Sequence, residues 1–106
     1  MGIEKKYPKK KPLVCLTAYD YKTALIVDKY SDIVLVGDSL GMVLYGDNST
    51  GKVTLDMMIR HGSAVVRNTK NSCIIVDMPY GTYERSKNKA YENVNDTVNK
   101  FLTNNC

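Results

Sequence analysis

The sequence predicts an α/β fold built on parallel strands, and three observations predict it. Short apolar runs of strand length recur at residues 13–18 (LVCLTA), 33–36 (IVLV) and 73–76 (CIIV). Each is followed by a stretch of helical composition or helical period. An acidic residue stands within two positions of the end of each strand candidate, at Asp20, Asp38 and Asp77. Alternation of this kind implies a parallel sheet with crossover helices.

The elements follow in order. Residues 1–12 are polar, carry Pro8 and Pro12, and read as a basic, irregular lead-in to the domain at 13–106. The first strand candidate is 13–18, and Asp20 after it is placed to cap a helix over 21–30, with Ser31 and Asp32 at its end. The second strand, 33–36, is expected to be buried on both faces. It opens into a long loop over 37–53, rich in Gly, Asp, Asn and Ser. Thr54 reads as an N-cap, with Asp56 in the first turn where a negative charge suits the helix dipole. Leu55, Met58, Ile59, Val65 and Val66 then give the next helix one inward face. The third strand, 73–76, closes at Asp77 and Pro79, and a second loop runs to about Arg85. Ser86 is placed to cap the last helix, whose apolar stripe is Tyr91, Val94, Val98, Phe101 and Leu102. Three parallel strands cannot close a barrel, and an open sheet of three leaves both edges unpaired. The layout matches the first three βα units of a (β/α)8 barrel, with a small three-layer α/β domain as the alternative.

Composition bounds the function. At 106 residues, with 43% hydrophobic and 25% charged residues, the chain is one globular domain or part of one. No apolar run approaches the ~20 residues of a membrane span, and the basic N-terminus has no apolar core behind it. Neither a membrane nor a secretory signal is expected. Five of the 15 basic residues fall within the first eleven positions, yet no stacking aromatics or recognition helix accompany them, so nucleic acid is not the expected partner. Cys15, Cys73 and Cys106 have no metal-ligand spacing; Cys15 and Cys73 lie in apolar runs and read as small buried hydrophobes in a reducing cytoplasm.

Asp38 and Asp77 carry the chemical argument. If strands two and three are neighbours, their ends lie ~4.8 Å apart and both carboxylates reach one site. Two hard oxygen ligands suit Mg²⁺, which takes one or two carboxylates and completes its octahedron with water and substrate oxygens. Spacing alone leaves open the other reading, in which each Asp only caps a loop. Asp20 is read as a cap, with a supporting role at the site as its alternative. Ser39 has no partner base; with Gly37 and Gly41 beside it, its N–H and hydroxyl suit a substrate carboxylate. His61, the single histidine, falls within a helix and reads as packed or solvated. Tyr19, Tyr80 and Tyr83 lie in loops at the same end. The stretch GDNSTGKV at 46–53 mimics a phosphate-binding loop, but Val53 stands where the metal-binding hydroxyl belongs and no strand precedes Gly46.

LTAYD at 16–20, VGDSLGM at 36–42, the ST…VTLD stretch through Asp56, HGSAVVR at 61–67 and VDMPYGTY at 76–83 together resemble the ketopantoate hydroxymethyltransferase family, in order and at family spacing from about residue 13 onward. The resemblance implies a (β/α)8 barrel, a cytoplasmic homodecamer, and transfer of a one-carbon unit from 5,10-methylenetetrahydrofolate to 3-methyl-2-oxobutanoate on the way to pantothenate and coenzyme A. It implies Asp38 and Asp77 as Mg²⁺ ligands, and Asp38, Ser39 and Asp77 as contacts of the keto acid. The family's general base lies on a later strand, so no catalytic residue is expected within these residues. The chain is expected to be a truncated portion, inactive alone; a non-catalytic fragment or a half needing a complementary chain is the alternative. Gly51–Lys52 departs from the family's apolar residue and Pro before Val53–Thr54, on the folate side.

Overall fold

The computed structural model describes residues 11–104, with side chains through Phe101. Most of the basic lead-in, the side chain of Leu102, and Cys106 lie outside the described residues. The elements run β1 (Cys15–Thr17), α1 (Tyr21–Val27), β2 (Ile33–Val36), α2 (Leu40–Val43), a 3₁₀ turn (Thr50–Lys52), α3 (Leu55–Arg67), β3 (Cys73–Val76) and α4 (Lys87–Asn104). The strands form one parallel sheet in the order β1-β2-β3. Among the described residues no helix is long and apolar enough to cross a membrane.

The register sets the faces. Leu16, Val34 and Ile74 stand in one row, and Thr17, Leu35 and Ile75 in the next. Val34 and Val36 are fully buried with Ala24 of α1 and Met58 and Val65 of α3. Side chains alternate along a strand, so Ile33 and Leu35 point the other way, with Cys73 and Ile75. The core therefore lies on one face of the sheet, under α1 and α3. The opposite face carries apolar side chains with no helix over it among the described residues, and Ile75 there is 44% exposed.

That one-sidedness corrects several expectations. β2, expected to be buried on both faces, is fully buried only at Val34 and Val36, and β3 has no fully buried residue. Cys15 is exposed and Cys73 half-buried, because β1 is an edge strand and both belong to the uncovered row. The α4 stripe is largely exposed at Tyr91, Val94 and Val98, while its buried position is Thr97. Val94 and Val98 rim an open groove of about 230 Å³ between α3, β3 and α4, lined also by Val66, Ile74, Val76 and Phe101.

Local chemistry explains the boundaries. Asp20 caps α1, accepting from Thr23 N–H at 2.8 Å and from the Thr23 hydroxyl at 3.3 Å. Thr54 caps α3 by accepting from Met57 N–H at 3.2 Å, and Ser86 caps α4 by accepting from Lys89 N–H at 3.0 Å. Helix α1 ends at Val27, earlier than the composition suggests. Asp28 follows it and turns inward. Its carboxylate, 7% exposed, accepts N–H bonds from Lys70 at 2.8 Å, Asn71 at 3.1 Å and Ser72 at 2.8 Å. This clamps the end of α1 to the turn that feeds β3. Burial pushes the Asp28 carboxyl up, but the donors from Lys70, Ser72 and Asn71 outweigh it and hold it below the usual carboxylate range.

Candidate functional site

The site is built at the C-terminal edge of the sheet, where β2 and β3 run into loops. The parallel ladder continues one step past β3, with Asp77 N–H donating to the Val36 carbonyl at 3.0 Å. Asp77 thus stays in register and falls, by alternation, on the uncovered face with Ile75 and Cys73. Its Oδ2 accepts the backbone N–H of Asp38 at 3.0 Å. The two acidic residues are therefore brought to one edge of adjoining strands. Among the described residues no side-chain partner engages the Asp38 carboxylate, and Asp77 Oδ1 is likewise uncommitted. No third His, Cys, Asp or Glu joins them in a metal-binding group among the described residues. A pair of carboxylates with open oxygens fits an ion that draws its remaining ligands from water and substrate.

Glycines at this edge have separate uses. A Cβ on Gly37 would stand 3.4 Å from Asp77 Oδ2 and 3.4 Å from Ser39 Oγ, so the bare backbone keeps the space between carboxylate and hydroxyl free. Gly41, whose place in the sequence suits the approach of a ligand, instead admits the protein itself. A Cβ there would meet Val53 Cγ2 at 2.6 Å, so α2 packs directly on the segment entering α3.

Ser39 precedes α2 yet makes no side-chain bond to its own helix. Its Oγ lies 3.0 Å from the Tyr19 hydroxyl. The Tyr19 carbonyl is in turn 2.7 Å from His61 Nδ1, and His61 Nε2 is 2.8 Å from the Tyr45 hydroxyl. A carbonyl can only accept, so Nδ1 carries a proton, and in the neutral tautomer this leaves Nε2 as the acceptor of the Tyr45 hydroxyl. His61 is packed, as expected, and Asp20 caps rather than supporting the acid pair. Of the loop tyrosines, Tyr19 reaches the site, whereas Tyr80 and Tyr83 are largely exposed. The sequence held no sign of Tyr45 as a partner of His61, because their separation of 16 residues spans the irregular loop. Beyond β3, Glu84 ties the loop by accepting Gly81 N–H at 2.7 Å, and its own, Gly81 and Tyr83 N–H groups hold its exposed carboxyl below the usual range.

The stretch resembling a phosphate-binding loop forms a 3₁₀ turn at Thr50–Lys52. Helix α3 opens at Leu55 rather than at Lys52, so the backbone has no phosphate-cradling geometry there.

Comparison with known proteins agrees along the length of the chain. The family model described as ketopantoate hydroxymethyltransferase matches residues 1–104. A protein from Brucella canis named 3-methyl-2-oxobutanoate hydroxymethyltransferase is 58% identical over 82 residues, covering 77% of this chain and 30% of that protein. Proteins of the same name from Rhizobium etli and Agrobacterium fabrum are each 57% identical, covering 78% and 76% of this chain and 30% and 29% of their own lengths. The chain spans about three tenths of the length of the curated relatives it matches. The match takes in the whole acid-bearing edge, and on it this chain belongs to the ketopantoate hydroxymethyltransferase family.

Proposed function

We propose that these residues form the first three βα units of a (β/α)8 barrel that makes ketopantoate in pantothenate biosynthesis. The reaction is transfer of a hydroxymethyl unit from 5,10-methylenetetrahydrofolate to 3-methyl-2-oxobutanoate, in a cytoplasmic homodecamer. One observation carries the reading: Asp38 and Asp77 meet at the C-terminal edge of neighbouring parallel strands, joined by the Asp38 N–H to Asp77 Oδ2 bond of 3.0 Å. Active sites of such barrels occupy that edge. The consecutive strand order and the single helix-covered face support a barrel rather than a sheet wound on both faces.

Asp38 and Asp77 would hold Mg²⁺. Bound there, the ion supplies a Lewis acid for the oxygens of the 2-oxo acid and stabilises the negative charge that develops when its β-carbon loses a proton. The chain's own groups do the positioning. The Asp38 N–H fixes one oxygen of Asp77 and leaves the other uncommitted. Gly37 leaves room between that carboxylate and Ser39. The Ser39 hydroxyl, held by Tyr19, donates to the keto acid. Proton removal needs a base from elsewhere in the barrel, because both ring nitrogens of His61 are already engaged. Such a base contributes about 10²–10⁴-fold in rate.

Calorimetric titration tests this. The chain should bind 3-methyl-2-oxobutanoate only with Mg²⁺ present, and Asp77→Asn should weaken that binding by about tenfold or more. The purified chain with folate donor should form no ketopantoate. Metal-independent binding, or an Asp77→Asn variant that binds as well as the parent, would overturn the assignment of the acid pair. Turnover by the chain alone would overturn the need for a distant base. A second reading, in which the chain is non-catalytic and works as a half with a complementary chain, is favoured by the uncovered sheet face at Ile75.

A further inference from the structure

We infer that His61 is a positioning residue for the proposed keto-acid site, acting through the backbone of Tyr19 on the hydroxyl of Ser39. The inference rests on the reading of Ser39 as a substrate contact, and it adds residues that do not touch the acid pair. Three links carry it. His61 Nδ1–H donates to the Tyr19 carbonyl at 2.7 Å, across 42 residues of sequence. The Tyr45 hydroxyl lies 2.8 Å from His61 Nε2, with the two rings edge to face at 6.0 Å between centroids. The Tyr19 hydroxyl pairs with Ser39 Oγ at 3.0 Å.

The arrangement diverts Ser39 from its ordinary use. A serine at the start of a helix usually spends its hydroxyl on the free N–H groups of that helix. Here φ and ψ of Ser39 are −59° and −11°, and its side chain makes no such bond. The hydroxyl is turned to Tyr19, beside Gly37 and the Asp77 carboxylate. Tyr19 can hold it there only if the β1–α1 loop is itself fixed. That loop is anchored on one side by Ala18 N–H to the Leu35 carbonyl, at 3.2 Å, and on the other by the Asp20 cap of α1. Between those anchors, His61 holds the Tyr19 peptide to α3. The tautomer is part of the device. With Tyr45 donating to Nε2, the ring proton stays on Nδ1, where the carbonyl needs it.

The test uses the isotopically labelled chain with Mg²⁺ and 3-methyl-2-oxobutanoate. Long-range proton–nitrogen spectra should find the imidazole proton on Nδ1. His61→Leu should shift the Ser39 amide and Tyr19 ring resonances and lower Mg²⁺-dependent affinity for the keto acid about fivefold, the effect of one lost hydrogen bond. His61→Asn, which can present an N–H near the Nδ1 position, should restore the resonances and most of the affinity. Tyr45→Phe, at a half-exposed position that leaves the core intact, should shift the Tyr19 resonances in the same direction. It serves as the readout should the leucine variant fail to fold. A proton on Nε2 would overturn the inference. So would a leucine variant that leaves Ser39 and Tyr19 unmoved, or an asparagine variant no better than leucine. If the parent chain binds no keto acid with Mg²⁺, the metal reading alone falls, and the resonances still decide whether His61 positions Tyr19 and Ser39.

Discussion

Asp28 concentrates in one side chain what holds the N-terminal end of the sheet together. Its carboxylate accepts the successive N–H groups of Lys70, Asn71 and Ser72, and the Asn71 side-chain amide at 3.4 Å. Removing the charge leaves buried donors facing an amide that can satisfy only some of them. Asp28→Asn should therefore destabilise the chain by about 2–4 kcal/mol, read as a lower urea midpoint at pH 7. The sign of the pH dependence follows from the lowered carboxyl. A group whose folded value is depressed contributes fully above its unfolded value, roughly 4, and loses that contribution as pH falls through the folded value. The gap between parent and variant should be constant above about pH 5 and narrow below pH 4. A gap that widens on acidification would refute this role. Nothing local in the sequence pointed to Asp28. An acid at a helix C-terminus is disfavoured by the helix dipole, and its partners lie 42–44 residues away. Asp38 and Asp77 were legible for the opposite reason: each closely follows a strand-length apolar run, so chain order alone places it at the sheet edge.

At the scale of elements, legibility followed length. β2 and β3 occupy the ranges their apolar runs predict, and α3 begins where Thr54 and Asp56 signal it. The stretch 37–53, read as one long loop, instead holds α2 and a 3₁₀ turn. Elements of three or four residues are too short to show a period. What holds α2 is contact. Gly41 and Val53 are both buried, and the hypothetical Cβ–Cγ2 distance of 2.6 Å leaves no room for a methyl group. Ala in place of Gly gains up to about 1 kcal/mol of helix propensity. Overpacking against a stiff β-branched neighbour costs about 1–3 kcal/mol. Gly41→Ala should therefore lose about 1–2 kcal/mol in net stability by thermal or urea unfolding. Adding Val53→Ala should cost less in that background than in the parent, with a coupling on the order of 1 kcal/mol. Strict additivity would show that the two residues do not compete for the same space.

On the scale of the whole molecule, the governing feature is that, among the described residues, the sheet has a core on one side only. The rows Cys15–Ile33–Cys73 and Thr17–Leu35–Ile75 cross the uncovered face, and β1 and β3 are the edges of the sheet. The apolar stripe of α4 was readable as periodic, but periodicity does not say whether a neighbour exists to cover it; Val94 and Val98 line an open groove instead. Contiguous apolar surface beside free strand edges drives association. The chain should therefore scatter light as a species heavier than its 11.9 kDa monomer at micromolar concentrations. Ile75→Thr keeps a β-branched residue on an already half-exposed position, so it should shift the mass toward monomer while changing unfolding by no more than about 0.5 kcal/mol. Asp77 lies on the same face, so whatever covers Ile75 also walls the acid pair and excludes water from it. Mg²⁺ affinity should accordingly rise with chain concentration in the parent and less so in Ile75→Thr. A well-folded monomer whose metal affinity is independent of concentration would show that the open face is stable in water and that the acid pair works without a wall.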